Sequence, residues 1–355
     1  MQKVFRVIDT GVREGRANIA FDQALIDLHQ RRVIPDTIRF LQFRPSALVG
    51  RHQALAREVH VDFCRDHNIG LVRRITGGGA LYMDEGQFGF ELVFHRATLG
   101  ISSLNELARI LCEAAARGLQ NLGVAARYRP RNDIEVDGRK VSGTGGFFDG
   151  DTLFYQGTIL VDMDPARMLA ALNVPQDKLA KRALDSAGQR VVTLRELLGA
   201  RLPDVAAIKA AMLKGFAEAL GIEPVQGNIS DAEEALAAQI WRDEIGTDEF
   251  VHELEDPAGQ ENVLSASLQG PGGTISAHLR LEDSRIREVL FTGDFFVTPP
   301  RVIFDLEAHL RGTAVADVEA QVAQFFNAAK VGLLSARSSD FAAAVGEAAA
   351  KAVAA

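Results

Sequence analysis

The feature that most constrains this fold is a two-residue turn, Asp137-Gly138, which lies between two strand-like segments. An Asp-Gly pair favours the tight turn of a β-hairpin, because both central residues adopt positive φ. We therefore predict that NDIEV (132–136) and RKVSG (139–143) pair in antiparallel fashion. A second turn at 149–151 precedes another strand-like segment, TLFYQGTILV (152–161), and extends the predicted sheet.

Segments with helical periodicity lie between the strand-like ones and predict a mixed α/β fold. Apolar residues recur at three- and four-residue spacing over about 16–30, which is typical of an amphipathic helix. Ser103-Leu104-Asn105-Glu106 has the pattern of a capping box, so a helix is predicted from there to Gly123. The alternation in QFGFELVF (87–94) is typical of a strand. Further strands are predicted at 37–43, 46–50, 70–76 and 80–84, and further helices at about 193–199, 203–220 and 231–242.

The length of 355 residues favours two domains. We predict a first domain over 1–240 and a smaller α+β accessory domain over 245–355. The alanine-rich tail at the end of the second domain predicts a helix. The other predicted elements of this domain are strands at 275–282 and 286–296 and helices at about 300–311 and 315–328.

Composition argues against several classes of protein. Acidic residues outnumber basic ones, 47 to 39, and the net charge of −8 argues against a protein that binds nucleic acid through its phosphates. No apolar run approaches the ~20 residues of a membrane span, so we predict no membrane partner. The charged N-terminal segment lacks the apolar stretch of a signal peptide, and the two cysteines, Cys64 and Cys112, fit a reducing compartment. These features predict a cytoplasmic protein.

The first segment with a chemical signature is RRITGGGALYMD (73–84). Glycines let a ligand approach the backbone and leave N–H groups free for anionic oxygens. Adjacent arginines on a strand point to opposite faces, so one of Arg73 and Arg74 can reach a ligand while the other pairs elsewhere. The alternative is a plain hairpin with solvated arginines. The spacing matches neither a Walker loop nor a dinucleotide-binding fingerprint.

The second segment combines Asn132-Asp133 with the lysine motif GRKVSGTGG (138–146). Lys140 follows the tight turn, where its charge can meet a phosphate and an acyl oxygen together. Asp133 could hold a metal ion together with phosphate oxygens. The alternative is that Asp133 caps a turn and Lys140 is solvated. A third segment, Gly157-Thr158-Ile159-Leu160, could line the same pocket.

Together these segments resemble the lipoate–protein ligase family, which is related to octanoyltransferases and biotin protein ligases. The paired arginines before Thr76 and three glycines resemble the family's lipoate-binding loop, and Asn132-Asp133 with Lys140-Val141-Ser142-Gly143 resembles its lysine signature. The resemblance implies a biotin-synthetase-like α/β catalytic domain with mixed, mostly antiparallel sheets, followed by the small accessory domain. It also implies ATP-dependent attachment of lipoate, through lipoyl-adenylate and with Mg²⁺, to a lysine of an acceptor lipoyl domain or a glycine-cleavage-H-like protein.

The same resemblance implies roles for individual residues. Lys140 corresponds to the catalytic lysine, and Asp133 is the candidate Mg²⁺ ligand. The segment 179–197 resembles the one that crosses the active site after adenylation. The candidate lipoate and lipoyl-adenylate residues are Arg74, Thr76, Gly77, Gly78, Gly79, Gly143 and Gly157, and the candidate nucleotide residues are Ala80, Asn132, Asp133 and Lys140.

Alternatives to an ATP-dependent ligase are weighed on the same residues. An octanoyltransferase forms a thioester on a cysteine without ATP, but Cys64 and Cys112 both lie outside the three segments and are predicted to be structural. Biotin protein ligases carry a different arginine–glycine loop. A non-catalytic module that binds acylated carrier domains would not require Lys140 and Asp133. Met83 and Tyr155-Gln156 differ from common family residues, so the preference between lipoate and octanoate stays open.

Overall fold

The computed structural model of the chain describes residues 3–173 and 190–354. The part of the segment 179–197 that precedes Arg190 lies outside the described residues. The strands are β1 (Lys3–Arg13), β2 (Thr37–Phe43), β3 (Ser46–Val49), β4 (Gly70–Arg73), β5 (Leu81–Met83), β6 (Gln87–His95), β7 (Arg127–Arg129), β8 (Asp133–Val136), β9 (Arg139–Asp149), β10 (Thr152–Leu160), β11 (Ile222–Gln226), β12 (Leu264–Gly270), β13 (Gly273–Glu282), β14 (Arg285–Gly293), β15 (Val297–Thr298) and β16 (Gly332–Leu333).

The α-helices lie between groups of these strands along the chain. They are α1 (Gly15–Gln30), α2 (Leu55–Glu58), α3 (Val61–Asp66), α4 (Arg96–Leu99), α5 (Leu104–Gln120), α6 (Pro165–Ala171), α7 (Leu194–Leu198), α8 (Val205–Leu220), α9 (Asp231–Ile240), α10 (Asp248–His252), α11 (Val302–Leu310), α12 (Val318–Ala328) and α13 (Ser338–Ala354). No helix among the described residues has both the length and the apolar character that a membrane crossing requires.

Eight strands form one large sheet in the order β11-β1-β2-β6-β10-β9-β8-β7. β1 pairs in parallel with β2 and β11, whereas the other neighbours pair in antiparallel fashion. Asp137 and Gly138 join β8 to β9 with φ of +51° and +79°, the two positive values that a type I′ turn needs. The predicted α/β fold with mixed, mostly antiparallel sheets is confirmed.

The two faces of the large sheet pack against different helices. On β6, Phe88 and Phe90 belong to the core beneath α5, while Val93 belongs to the core beneath α1. Because side chains alternate along a strand, Gly89 and Glu91 lie on the same face as Val93. That face, which we call the α1 face, therefore carries a glycine and a carboxyl group where the opposite face carries phenylalanines, and it has room for a cavity.

A second sheet, in the order β4-β3-β5, contributes Leu48, Val72 and Met83 to the core beneath α1. β4 ends at Arg73, three residues before its predicted end at 76. Arg74 explains this difference, because its Nη2 donates hydrogen bonds to the carbonyls of Gly77 and Gly79 and so curls the chain into a loop. We call residues 74–79 the glycine loop.

The C-terminal part of the chain contains a third sheet, β12-β13-β14, which shares an apolar core with α11, α12 and α13. β12 is absent from the predictions because serine, glycine and glutamine in LSASLQG give it little strand propensity. The predicted strand 286–296 ends at Gly293 instead, since the next residues leave this sheet toward the glycine loop. We retain the division into 1–240 and 245–355 as a proposal.

Candidate active site

A cavity of about 150 Å³ lies on the α1 face of the large sheet. It crosses four neighbouring strands, from Lys140 on β9 over Gly157 on β10 and Gly89 on β6 to Leu41 on β2. At the β9 end, Lys140 and Asn132 supply a charge and an amide. The β2 end is apolar, with walls that include Ile19, Leu41, Phe43, Leu48 and Met83. A cavity of this kind fits a ligand with a polar head and an apolar tail.

The structure brings the predicted site residues together around this cavity. Lys140 is part of the wall, whereas Asp133 is not. The Oδ1 atom of Asp133 nevertheless lies 2.8 Å from Nζ of Lys140. The three segments that are separate in sequence therefore meet in one place. The predicted residues in the wall are Arg74, Thr76, Gly77, Gly78, Gly79, Ala80, Asn132, Lys140, Gly143 and Gly157.

The adjacent arginines Arg73 and Arg74 have different surroundings. Arg73 is fully buried, and its guanidinium donates to backbone carbonyls, including those of Gln53 at 2.7 Å and Val251 at 2.9 Å. It therefore ties the end of β4 to two other parts of the chain. Arg74 is also buried, but it lies in the cavity wall. Only the second guanidinium is placed to meet a ligand.

Arg74 keeps one unused donor. Its Nε donates to Thr76 Oγ1, and its Nη2 donates to the carbonyls of Gly77 and Gly79. Its buried Nη1 has no hydrogen-bond partner within the described residues. Burial lowers the pKa of Arg74 to about 10, which leaves the group charged at neutral pH. An unpaired buried cation is costly, and an anionic ligand in the cavity would satisfy it.

Lys140 is held from several directions at the other end of the wall. Its Nζ pairs with Asp133, and its backbone N–H and C=O bond to Arg190 and Val192. Gly143 leaves room for this side chain, because a Cβ there would lie 2.6 Å from Nζ. Burial by itself raises the pKa of Asp133, but Lys140 and Arg129 outweigh it and hold that pKa below its usual value.

The surroundings of Asp133 fit an ion pair rather than a metal ligand. Its Oδ1 is engaged by Lys140 and its Oδ2 by Arg129. No group of three or more histidine, cysteine or acidic side chains in the described part of the chain is arranged to hold a metal ion. Asp133 therefore orients Lys140, and its oxygens do not fit the predicted role of a Mg²⁺ ligand.

Asn132 is fixed in the wall by Thr144. The N–H of Thr144 and its hydroxyl both donate to the carbonyl of Asn132, at 2.9 and 2.8 Å, and the Asn132 amide donates back to the Thr144 carbonyl. On the far side of the sheet, the hydroxyl of the fully buried Tyr155 lies 2.5 Å from Thr144 Oγ1. This hydrogen-bond network, which sequence reasoning did not find, holds Asn132 beside Lys140.

Gln156, Glu91 and Phe296 are among the wall residues that the predicted site did not include. Gln156 donates to Thr76 Oγ1 at 2.8 Å and so ties β10 to the glycine loop. Glu91 had a visible signal, because a carboxyl group is unusual within a strand as apolar as QFGFELVF. Phe296 had none, since it reaches the cavity from the C-terminal part of the chain.

Both cysteines are buried away from the cavity wall. Cys64 belongs to a core that includes β3 and α3, and Cys112 belongs to the core beneath α5. Burial raises the pKa of each thiol to about 11, so neither forms a thiolate readily at neutral pH. Cys112 lies 3.2 Å from Thr144 Oγ1, on the side of the sheet away from the cavity.

Known proteins share this architecture. Octanoyltransferase LipM of Brevibacillus brevis is 28% identical over 270 residues, which are 69% of this chain and 98% of that protein. Lipoate-protein ligase LplJ of Bacillus subtilis is 26% identical over 298 residues, which are 80% of this chain and 83% of that protein. A solved structure of a bi-partite lipoate protein ligase from Thermoplasma acidophilum, described with its E2 lipoyl domain, matches with a TM-score of 0.63 and 26% identity, over 71% of this chain and 97% of that one.

The family assignment rests on more than half of the chain. The model of the lipoyl protein ligase A/B catalytic domain matches residues 14–217. This range contains the glycine loop, Lys140 and almost all of the cavity wall, with Phe296 outside it. The chain therefore belongs to the lipoyl protein ligase A/B family, within the superfamily of biotin and lipoate protein ligases.

Proposed function

We propose that the chain is an ATP-dependent lipoate–protein ligase, which activates lipoate as lipoyl-adenylate and attaches it to a lysine of an acceptor lipoyl domain. The observation that carries the ATP-dependent form is the placement of the thiols. The sequence contains two cysteines, and both are buried outside the cavity wall with pKa values raised to about 11. A transferase that works through a cysteine thioester would lack an accessible nucleophile.

The polarity of the cavity supports an acid as the ligand. The unpartnered Nη1 of Arg74 and the ammonium group of Lys140 both suit anionic oxygens, of a carboxylate or a phosphate. The apolar end over β6 and β2 suits an acyl chain. We therefore assign the acyl chain to the β2 end and the nucleotide to the β9 end.

In the first proposed step, a carboxylate oxygen of lipoate attacks the α-phosphorus of ATP. The new O–P bond replaces the bond to pyrophosphate, which leaves with its electron pair. Arg74 and Lys140 offset the negative charge that develops on these oxygens. Because their cationic groups are already positioned by the glycine loop and by Asp133, little reorganisation is needed.

In the second proposed step, the neutral ε-amine of the acceptor lysine attacks the acyl carbon of the adenylate. A C–N bond forms, the C–O bond to the phosphate breaks, AMP leaves and the nitrogen loses a proton to solvent. The Thermoplasma relative is described together with an E2 lipoyl domain, which supports an acceptor of that type. A glycine-cleavage-H-like protein is a second candidate acceptor.

The relatives also support an alternative, an octanoyl or lipoyl transferase that needs no ATP. Octanoyltransferase LipM is as similar in sequence as the ligases are. The ligase LplJ, however, aligns with 80% of this chain, against 69% for that octanoyltransferase. A non-catalytic module is the third alternative.

Lipoate-dependent exchange of pyrophosphate into ATP distinguishes these functions. A ligase catalyses the exchange, whereas a cysteine-dependent transferase and a binding module do not. The parallel assay offers octanoate on an acyl carrier protein, without ATP, and an apo-lipoyl domain as acceptor. We expect exchange in the first assay and no transfer in the second. Transfer without ATP, in the absence of exchange, would contradict the proposed function.

A further inference from the structure

A hydroxyl group in the cavity wall accepts two hydrogen bonds and keeps its own hydrogen unused. Thr76 Oγ1 accepts from Gln156 Nε2 at 2.8 Å and from Arg74 Nε at 3.3 Å. A hydroxyl group has two lone pairs and one hydrogen, so these two donors fill its capacity to accept. The described residues give the Thr76 hydroxyl two donors and no acceptor, which leaves its hydrogen free for a ligand.

The free hydrogen of Thr76 lies next to the free donor of Arg74. Both side chains are buried in the wall, and Nη1 of Arg74 belongs to the guanidinium whose Nε contacts Thr76. That Nη1 has no partner within the described residues, whereas Nη2 holds the guanidinium against the glycine loop. Two neighbouring donors, one of them charged, suit the two oxygens of a carboxylate.

The strand order places this pair of donors at the boundary between the two ends of the cavity. Gln156 on β10 pairs with Gly145 on β9 and with Glu91 on β6. β9 carries Lys140, at the end assigned to the nucleotide, and β6 leads to the apolar end. β10 lies between them, about 5 Å from each neighbouring strand. The carboxyl group joins the acyl chain to the nucleotide in an acyl-adenylate, so it belongs over β10.

We propose that Gln156 is a positioning residue for the acid group of the substrate. Its amide donates to Thr76 Oγ1 and so directs the hydroxyl hydrogen into the cavity, where Thr76 and Arg74 donate together to the carboxylate. The identity of that acid, lipoate, rests on the proposed function. The positioning role rests on the hydrogen bonds in the wall.

The physical reason is that an unheld hydroxyl group rotates. If Arg74 were the only donor to Thr76 Oγ1, one lone pair would stay open and the hydrogen could point in several directions. The second donor removes this freedom before the ligand binds, and less ordering is then needed on binding. A hydrogen bond to a charged group is stronger than one to a neutral group, so a carboxylate gains more from the fixed donor than an amide of the same shape.

The test compares binding of lipoate and of neutral lipoamide by calorimetry, without ATP. The variants are Gln156→Met, Thr76→Val and their double variant, with Thr76→Ser as the variant that keeps the hydroxyl. Methionine has about the length of glutamine and lacks the amide donor. Gln120→Met is the matched control, because Gln120 Nε2 also donates to a protein oxygen, the Ala126 carbonyl at 2.9 Å, but lies on α5 at the opposite face of the large sheet.

We expect the parent to bind lipoate more tightly than lipoamide. Gln156→Met should raise the Kd for lipoate about 5-fold and Thr76→Val about 10-fold or more, with changes below about 2-fold for lipoamide. In the Thr76→Val background, Gln156→Met should add less than about 2-fold, because no hydroxyl is left to position. Thr76→Ser and Gln120→Met should bind lipoate as the parent does.

Three results would overturn the inference: equal binding of the two ligands by the parent, an equal loss for both ligands in Gln156→Met, or additive losses in the double variant. An unchanged lipoate Kd in Gln156→Met would do the same. If Thr76→Val fails to fold, the comparison of the two ligands in Gln156→Met decides by itself. Failure of pyrophosphate exchange in the parent would instead contradict the proposed function, because these binding ratios do not depend on ATP.

Discussion

The three glycines of the glycine loop meet different surroundings, so alanine at each position tests a different contact. A Cβ on Gly77 would lie 2.2 Å from the carbonyl oxygen of Phe295, which is backbone and cannot move aside. Gly78 has φ of +94°, and its Cβ would lie 2.5 Å from the ring of Phe296. A Cβ on Gly79 meets nothing closer than Asp294 Cβ at 3.9 Å, and its φ needs no glycine.

These distances separate the effects on stability. Gly78→Ala is expected to lose about 1–3 kcal/mol, because a side chain is strained at that φ and must displace Phe296. Gly79→Ala is expected to gain ~0.4–1 kcal/mol through the unfolded chain. Each kcal/mol corresponds to a shift of roughly 2–4 °C in Tm for a domain of about 150–250 residues, so thermal unfolding resolves the two variants.

If the loop contacts the adenylate, the variant that keeps its stability, Gly79→Ala, is the one expected to lose affinity for that ligand. Gly79 lines the cavity, and the nearest protein atom to a Cβ there is Asp294 Cβ at 3.9 Å, so a methyl group intrudes on a ligand that lies against this part of the loop rather than on the protein. Overpacking of this kind typically costs ~1–3 kcal/mol, which is about a 5-fold loss of affinity or more. We therefore expect Gly79→Ala to bind a lipoyl-adenylate analogue at least about 5-fold more weakly than the parent, with Tm unchanged or higher.

The control for backbone strain is Gly123→Ala, since Gly123 also has positive φ, +79°, but a Cβ there meets no atom within 4 Å. This variant should lose stability and keep its affinity for the analogue. Calorimetric titration and thermal unfolding of the same preparations give both quantities. If Gly79→Ala binds the analogue as tightly as the parent, or if every loss of affinity follows unfolding, the loop only turns the chain.

The remaining predictions concern Lys140, the thiols and Thr144. Lys140→Ala should lower the rate of pyrophosphate exchange by ~10²–10³-fold. The free energy of unfolding should change by less than ~1 kcal/mol, because Arg129 still pairs with Asp133. A folded variant with a normal exchange rate would refute the role of Lys140. The double variant Cys64→Ser/Cys112→Ser should keep ATP-dependent lipoylation, and detection by mass spectrometry of an acyl thioester on either cysteine of the parent chain would favour the transferase instead. Thr144→Val removes the hydroxyl that holds Asn132, so it should raise the KM for ATP in the exchange assay and cost about 1 kcal/mol of stability. Thr144→Ser keeps that hydroxyl and should have the KM of the parent.

Short-range signals in the sequence predicted much of the catalytic part. The Asp137-Gly138 turn predicted the β8–β9 pairing, because only a few residues decide it. The capping box predicted the start of α5, with one difference. Ser103 accepts from the N–H of Glu106 as expected, but the Glu106 carboxylate accepts from Ser102 rather than from the N-cap. The local pattern therefore predicted where the helix begins, but not every hydrogen bond at its start.

Long-range pairing explains most of what was missed. β11 joins the large sheet by parallel pairing with β1, and it contains Pro224, which argues against a strand when the segment is considered alone. Arg39 is an ordinary charged residue in TIRFLQF, and its burial becomes clear only when Asp22 and Glu91 close around it. The residues of the three motifs could be predicted because the spacing of glycine and lysine is apparent in the sequence. The cavity wall that joins them forms only when distant segments pack together, so the sequence does not reveal it.

The C-terminal part also explains why the glycine loop is so rich in glycine. The N–H of Gly293 donates to the carbonyl of His52, and the N–H of Gly78 donates to that of Phe295. Phe296 then enters the space that the missing side chains of Gly78 and Gly145 leave open. The space beside these two glycines is therefore filled by a residue outside 14–217, the range that the family model matches. A substitution at Gly78 consequently perturbs the contact with Phe296 before it perturbs any ligand, whereas a methyl group at Gly79 meets no protein atom closer than 3.9 Å.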